Sequence, residues 1–166
     1  MKILQTVLFT VYLCLMLIIL GGTIFSALVE YPNWFANIPS SLEATRNFYK
    51  VLHPGYFFQI FGPVSVLTGI GFVIAGWRIS EARRLVTISL VLFVAIELLT
   101  FFYIYPRLNI LFVTELGTQS IEALRLTAKQ FTIADNIRTV LCFAANAFAI
   151  AAVFKFFRYR YTTLSS

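Results

Sequence analysis

Glu97 sits in V-A-I-E-L-L-T, deep in an apolar stretch with no charged neighbour in sequence. A carboxylate at membrane depth costs about 2.5–3.5 kcal/mol on insertion scales, so it demands a partner, a proton or water. Beside a bound phenol or quinone such a group acts as base or hydrogen-bond acceptor. Ser89, Phe93, Thr100 and Ile104 share its helical face, and Pro106 follows, a residue that frees backbone carbonyls. The counter-charge within reach is Arg138 in D-N-I-R-T-V-L-C, at the edge of a face carrying Asp135, Thr139, Cys142, Asn146 and Ala149. An antiparallel neighbour would bring Arg138 to Glu97 or Glu30. Local pairing with Asp135, or a reach to lipid phosphates, is the structural alternative.

A second set of polar residues lies at the end of the first apolar stretch, in E-Y-P-N-W-F-A-N-I-P. Thr23, Ser26, Glu30, Asn33 and Asn37 recur at spacings of three and four, one face of a helix that Pro32 bends without ending. With Trp34 they form a candidate binding edge, although Glu30, the asparagines and Trp34 also suit a plain water interface. Gln59, Asn109, Tyr103 and the single histidine, His53, approach the same end from other segments, and Asn146 is the candidate floor. Phe57, Phe58, Phe101 and Phe102 would complete an apolar wall.

The elements that position these residues are helices long enough to cross a bilayer. The chain has 166 residues, is 60% hydrophobic and 12% charged, and has a mean hydropathy of +0.85. About 25% charge is usual for a soluble domain, and a membrane helix needs about 20 apolar residues. Four stretches qualify, predicted at 3–30, 56–77, 84–105 and 136–158. The first lacks the short core and small-residue cleavage site of a signal peptide, so it counts as a span. The predicted fold is a single all-α domain, a polytopic membrane four-helix bundle.

Lys and Arg crowd the short segments on the side of the termini and are spread over long loops on the other, which predicts cytoplasmic termini in a cell (inner) membrane. Both long loops carry amphipathic stretches. Ser40 and Glu43 form a capping box for a helix that His53-Pro54-Gly55 stops, and a second helix is expected near 120–131. Thr132 and Asp135 would then cap the fourth span. Two short interfacial helices on the non-cytoplasmic side make a lid.

Cys14 and Cys142 both lie in apolar stretches with no metal-ligand spacing, so no metal and no cofactor is expected. The net charge of +6 borders membrane spans, which favours anionic lipid headgroups as partners over nucleic acid. Gly62, Ser65, Gly69 and Gly76 form a seam for close helix approach, and the alanines of the fourth span play the same part.

Y-P-R-L-N-I-L, containing Pro106 and Asn109, and D-N-I-R-T-V-L, containing Asn136, Arg138 and Thr139, resemble the anthrone oxygenase-like family of small four-span membrane proteins. The resemblance covers the last half of the chain. It implies a four-helix bundle and oxidation of a hydrophobic polycyclic phenol without an obvious metal, with Asn109 and Arg138 as the residues carried over.

The residues themselves point to a small lipophilic ligand, quinone- or polyphenol-like, held in the outer half of the bundle. Glu97, Arg138 and Asn109 are the catalytic candidates; Glu30, Asn33, Trp34, Asn37, His53, Gln59, Tyr103 and Asn146 are the binding candidates. The competing class is a non-enzymatic membrane subunit, as a homo-oligomer or with a partner membrane protein, whose buried polar residues fix helix packing.

Overall fold

A computed structural model describes residues 2–162. Its helices are α1 (Lys2–Trp34), α2 (Ser40–Phe48), α3 (Pro54–Ala75), α4 (Ser80–Phe112) and α5 (Ile121–Thr162). All but α2 are long and apolar enough to cross a membrane. They run up-down-up-down in a ring, α1 against α3 and α5, α4 against α3 and α5. The start of α1 and the last turns of α5 lie at one end, where Arg160 donates to the Lys2 carbonyl and to Thr6 Oγ1. The short α2 covers the opposite end as a lid.

The core follows from the small and aromatic residues. Phe9 meets Phe72 and Phe156, each with ring centroids 5.0 Å apart, near the termini. Gly69 leaves room for the Tyr12 ring, whose hydroxyl shares a 2.7 Å hydrogen bond with Ser89. Ala145, Ala149 and Ala152 are fully buried on α5 and let it approach its neighbours closely.

At 22 residues, α3 is about 33 Å long at 1.5 Å per residue, close to the ~30 Å of a hydrocarbon core. It is the membrane-spanning helix whose length comes nearest to that thickness. The other three run past Pro54 at the lid end, and a second buried cluster forms there around Trp34, Leu42, Ile104, Leu111, Leu124 and Phe131.

Both 33-residue helices carry the same irregularity. One π-helical turn spans Ser26–Glu30 and another Thr100–Ile104. Each is followed by Tyr-Pro: Tyr31-Pro32 and Tyr105-Pro106. Proline has no N–H and its ring pushes on the carbonyl four residues back, so the helix opens by one residue there. The residue after each proline then satisfies a loosened carbonyl. Asn33 Nδ2 donates to Val29 O at 2.7 Å, and Arg107 Nη1 to Tyr103 O at 2.9 Å.

Four expectations change. The expected second interfacial helix is the first part of α5, because Leu124, Ala128 and Phe131 bury against the lid cluster and hold the helix continuous. Its cap is Ser120, whose Oγ accepts from Ala123 N at 3.1 Å; Thr132 lies inside the helix and donates to Ala128 O. Ser40 forms no capping box, since its Oγ donates to Asn37 O and the N-cap position is Pro39. His53 opens α3 rather than closing the lid helix: its Nδ1 accepts from Gly55 N at 3.1 Å.

Candidate functional site

The lid is fastened at two points. Arg46 donates from Nε and Nη2 to Leu111 O, at 3.2 and 2.7 Å, and from Nη2 to Thr114 O at 2.6 Å. It thereby satisfies carbonyls at the C-terminus of α4 that have no helical partner. Tyr49 Oη donates to Glu30 Oε1 at 2.6 Å. Burial, followed by the hydrogen bond to Glu30, pushes the Tyr49 hydroxyl up to about 12, and burial pulls the Arg46 guanidinium below its ordinary value.

Under the lid is a chamber of about 370 Å³, within the range that holds small molecules. Trp34, Tyr105, Leu108 and Phe112 give it apolar walls; Arg46, Tyr49, His53, Gln59 and Asn109 give it polar groups. Trp34, His53, Gln59 and Asn109 were singled out from four separate stretches of sequence, and the fold brings them to one space. Since His53 Nδ1 accepts from the backbone, its neutral ring carries the proton on Nε2.

Glu97 and Arg138 lie deeper. Arg138 is buried on α5, ion-paired with Asp135 and donating to Tyr31 Oη at 2.9 Å. Its guanidinium lies 5.2 Å from the Phe58 ring centroid, and its Nε has no hydrogen-bond partner among the described residues. It does not pair directly with Glu97 or Glu30. Instead Glu97 and Arg138 line the same cavity of about 20 Å³, together with Thr23, Phe58, Thr100 and Cys142. The Glu97 carboxyl lies against Gly62, where an added Cβ would be 2.8 Å from Oε1. Neither residue lines the chamber with Asn109, so the three catalytic candidates are divided between two spaces.

The remaining candidates are scattered. Glu30 is buried between Ser26 Oγ, which donates at 2.5 Å, and Tyr49. It also borders an open, apolar groove of about 560 Å³ between α1 and α3, with Gly21, Gly22, Phe25 and Phe57. Asn33 is exposed and occupied with the Val29 carbonyl. Asn37 lines a separate open depression beside Arg125 and Lys129. Tyr103 faces outward with the Arg107 guanidinium 3.3 Å over its ring, an interfacial anchor rather than a chamber wall. Asn146 is buried one turn beyond Cys142, to whose carbonyl it donates at 2.9 Å.

Tyr31, Arg46 and Tyr105 were not singled out as site residues. The sequence signal for two of them is the repeated Tyr-Pro pair. Among the described residues, no group of three His, Cys, Asp or Glu could hold a metal ion.

The four apolar helices define an integral, multi-pass membrane protein. Comparison with family models, curated proteins and solved structures gives no match.

Proposed function

We propose that this protein binds a small lipophilic molecule with a polar end, quinone- or polyphenol-like, in the chamber under the lid. The observation that carries the reading is the chamber itself: a space of ligand size with Trp34 and Phe112 on its walls and Asn109 and Gln59 beside them. Asn109 and Gln59 supply donors and acceptors for a ring oxygen, and the aromatic walls stack on the ring. If α3 matches the hydrocarbon core, its first turn and the chamber beside it fall at the level of the headgroups, where such a molecule leaves its tail in lipid. The crowding of Lys and Arg near the termini supports cytoplasmic termini in a cell membrane.

Binding is favoured over oxidation because Glu97 and Arg138 do not line the chamber. The anthrone oxygenase-like resemblance adds the expectation of phenol oxidation, with Asn109 as the carried-over residue that would touch the substrate. The subunit reading predicts a chamber that takes up nothing.

Trp34 fluorescence tests the reading, with Trp77 at the opposite end removed by Trp77→Phe. A short-chain benzoquinone should quench it saturably in nanodiscs, and Asn109→Phe, which fills the chamber, should abolish saturation. Linear quenching that is the same in both proteins would reject the chamber as a binding site.

A further inference from the structure

We propose that Glu97 is a proton-exchange site, reached from the lidded chamber by a short file of water that passes Tyr105 and Arg138. This goes beyond ligand binding and needs no occupant in the chamber.

Three cavities lie in series. The chamber and a middle cavity of about 30 Å³ share Trp34, Pro54, Gly55, Tyr105 and Leu108 as walls. The middle cavity and the inner one of about 20 Å³ share Phe58, Thr100, Tyr105 and Arg138. Tyr105 lines all three. A cavity needs about 10–15 Å³ of such space to hold one water, and the water needs two to four polar partners. Each small cavity is therefore large enough for a single water.

The polar partners are present. Arg138 is 6% exposed, lines both small cavities and keeps an Nε without a partner among the described residues. A buried donor left unsatisfied is costly, and a water would relieve it. Thr100 Oγ1 donates to Ile96 O and retains acceptor capacity. At the far end, Glu97 accepts no hydrogen bond from any described side chain, yet it is half-buried at membrane depth. Such a carboxyl is held by a proton or by water.

The surroundings make the exchange one-sided. From α5, Glu97 faces Arg138 and Cys142, with Asp135 behind Arg138. From α1 it faces Thr23 and Ile19, with Tyr31 and Glu30 further toward the lid. From α3 it faces Phe58 and Gly62, and from α4 itself Thr100 and Tyr105. Ile19 and Phe93, both buried, floor the inner cavity, and the Tyr12–Ser89 pair fills the bundle below. The file closes below Glu97 and opens toward the lid end of the bundle, so it is not a transmembrane path.

Infrared difference spectroscopy of the protein in nanodiscs tests this without a ligand. The expected result is a protonated-carboxyl carbonyl band that vanishes in Glu97→Gln, declines as the medium pH is raised and shifts on transfer to D2O. Leu108→Trp, placed where the chamber meets the middle cavity, should slow that shift by about tenfold, equivalent to 1.4 kcal/mol of barrier. Val91→Trp, on the outward face of the same helix, should leave it unchanged. Should Glu97→Gln not fold, Glu97→Asp serves, because the band then moves in frequency. A spectrum in which neither Glu97 variant alters a pH-dependent band overturns the proposal. So does exchange at the same rate with Leu108→Trp in place, since the proton would then arrive by another route.

Discussion

The Tyr49 hydroxyl and the Glu30 carboxylate are 2.6 Å apart, and this hydrogen bond is the partition between two spaces. Tyr49 lines the lidded chamber, whereas Glu30 borders the lipid-facing groove between α1 and α3. With Ser26 Oγ on its other oxygen, Glu30 has both carboxylate oxygens engaged and holds the lid from below.

Tyr49→Phe removes the donor and leaves a buried carboxylate oxygen unsatisfied, a loss of about 1–3 kcal/mol. Amide exchange across Ser40–Phe48 should accelerate while that of α3 stays constant. The pH dependence has a defined sign. Because the folded-state value is raised from 10.0 to about 12, the contribution of Tyr49 is fully present below pH 10 and is lost as pH rises through about 12. Chemical denaturation of both proteins across that window checks it: the difference between them should be constant up to pH 10 and shrink above it.

Arg46→Ala should release the lid from α4, with a cost of about 1–3 kcal/mol from the carbonyls of Leu111 and Thr114. Arg46→Lys should recover only part of this, since an ammonium cannot reproduce the planar fork that spans both acceptors. Protease cleavage between α2 and α3 is the readout. Equal cleavage of the wild type and Arg46→Ala would show that the lid is held elsewhere.

Breaking the Arg138–Asp135 pair from one side strands a buried charge. Arg138→Leu or Asp135→Leu alone should destabilise the fold by about 3–5 kcal/mol, and the double Leu variant should recover much of that. A double-mutant cycle in mild detergent measures the coupling. Simple additivity would mean that Tyr31 and water, not Asp135, are the effective partners of Arg138.

Two glycines in facing helices separate packing from propensity. A Cβ at Gly69 would meet the Tyr12 ring at 2.9 Å and Leu90 at 3.0 Å, so Gly69→Ala should cost about 1–3 kcal/mol through overpacking. Gly21 has nothing within 4 Å. Gly21→Ala should be neutral or raise stability by up to about 1 kcal/mol, the helix-propensity difference. The thermal midpoint should fall for Gly69→Ala and hold or rise for Gly21→Ala.

The four spans and the chamber end were legible in the sequence because apolar length and terminal polarity are strong signals. The polar stripe on α1 was legible only in part, for a geometric reason. Thr23, Ser26 and Glu30 are buried as their spacing predicts, whereas Asn33 and Asn37 are exposed. The π-helical turn at Ser26–Glu30 advances the chain by a residue, so a stripe counted at three and four loses phase at Asn33, and Asn37 lies past the end of α1 at Trp34. Tyr31 and Trp34 take the buried positions instead. The same shift in α4 brings Tyr105 to the cavities behind Glu97. Spacing alone does not register such an insertion; the Tyr-Pro pair, occurring once in each 33-residue helix, is the mark it leaves.

The unequal lengths of the helices tie the chamber to the thickness of the surrounding membrane. Only α3 matches a hydrocarbon core of ordinary depth, and its first turn, Pro54 to Phe57, is also the sill of the chamber and of the groove beside it. A bilayer thicker by a few ångströms would submerge that sill in acyl chains, and a thinner one would leave it standing in water. The same protein would thus meet different molecules in different membranes, with lipid composition acting as a filter upstream of any side chain.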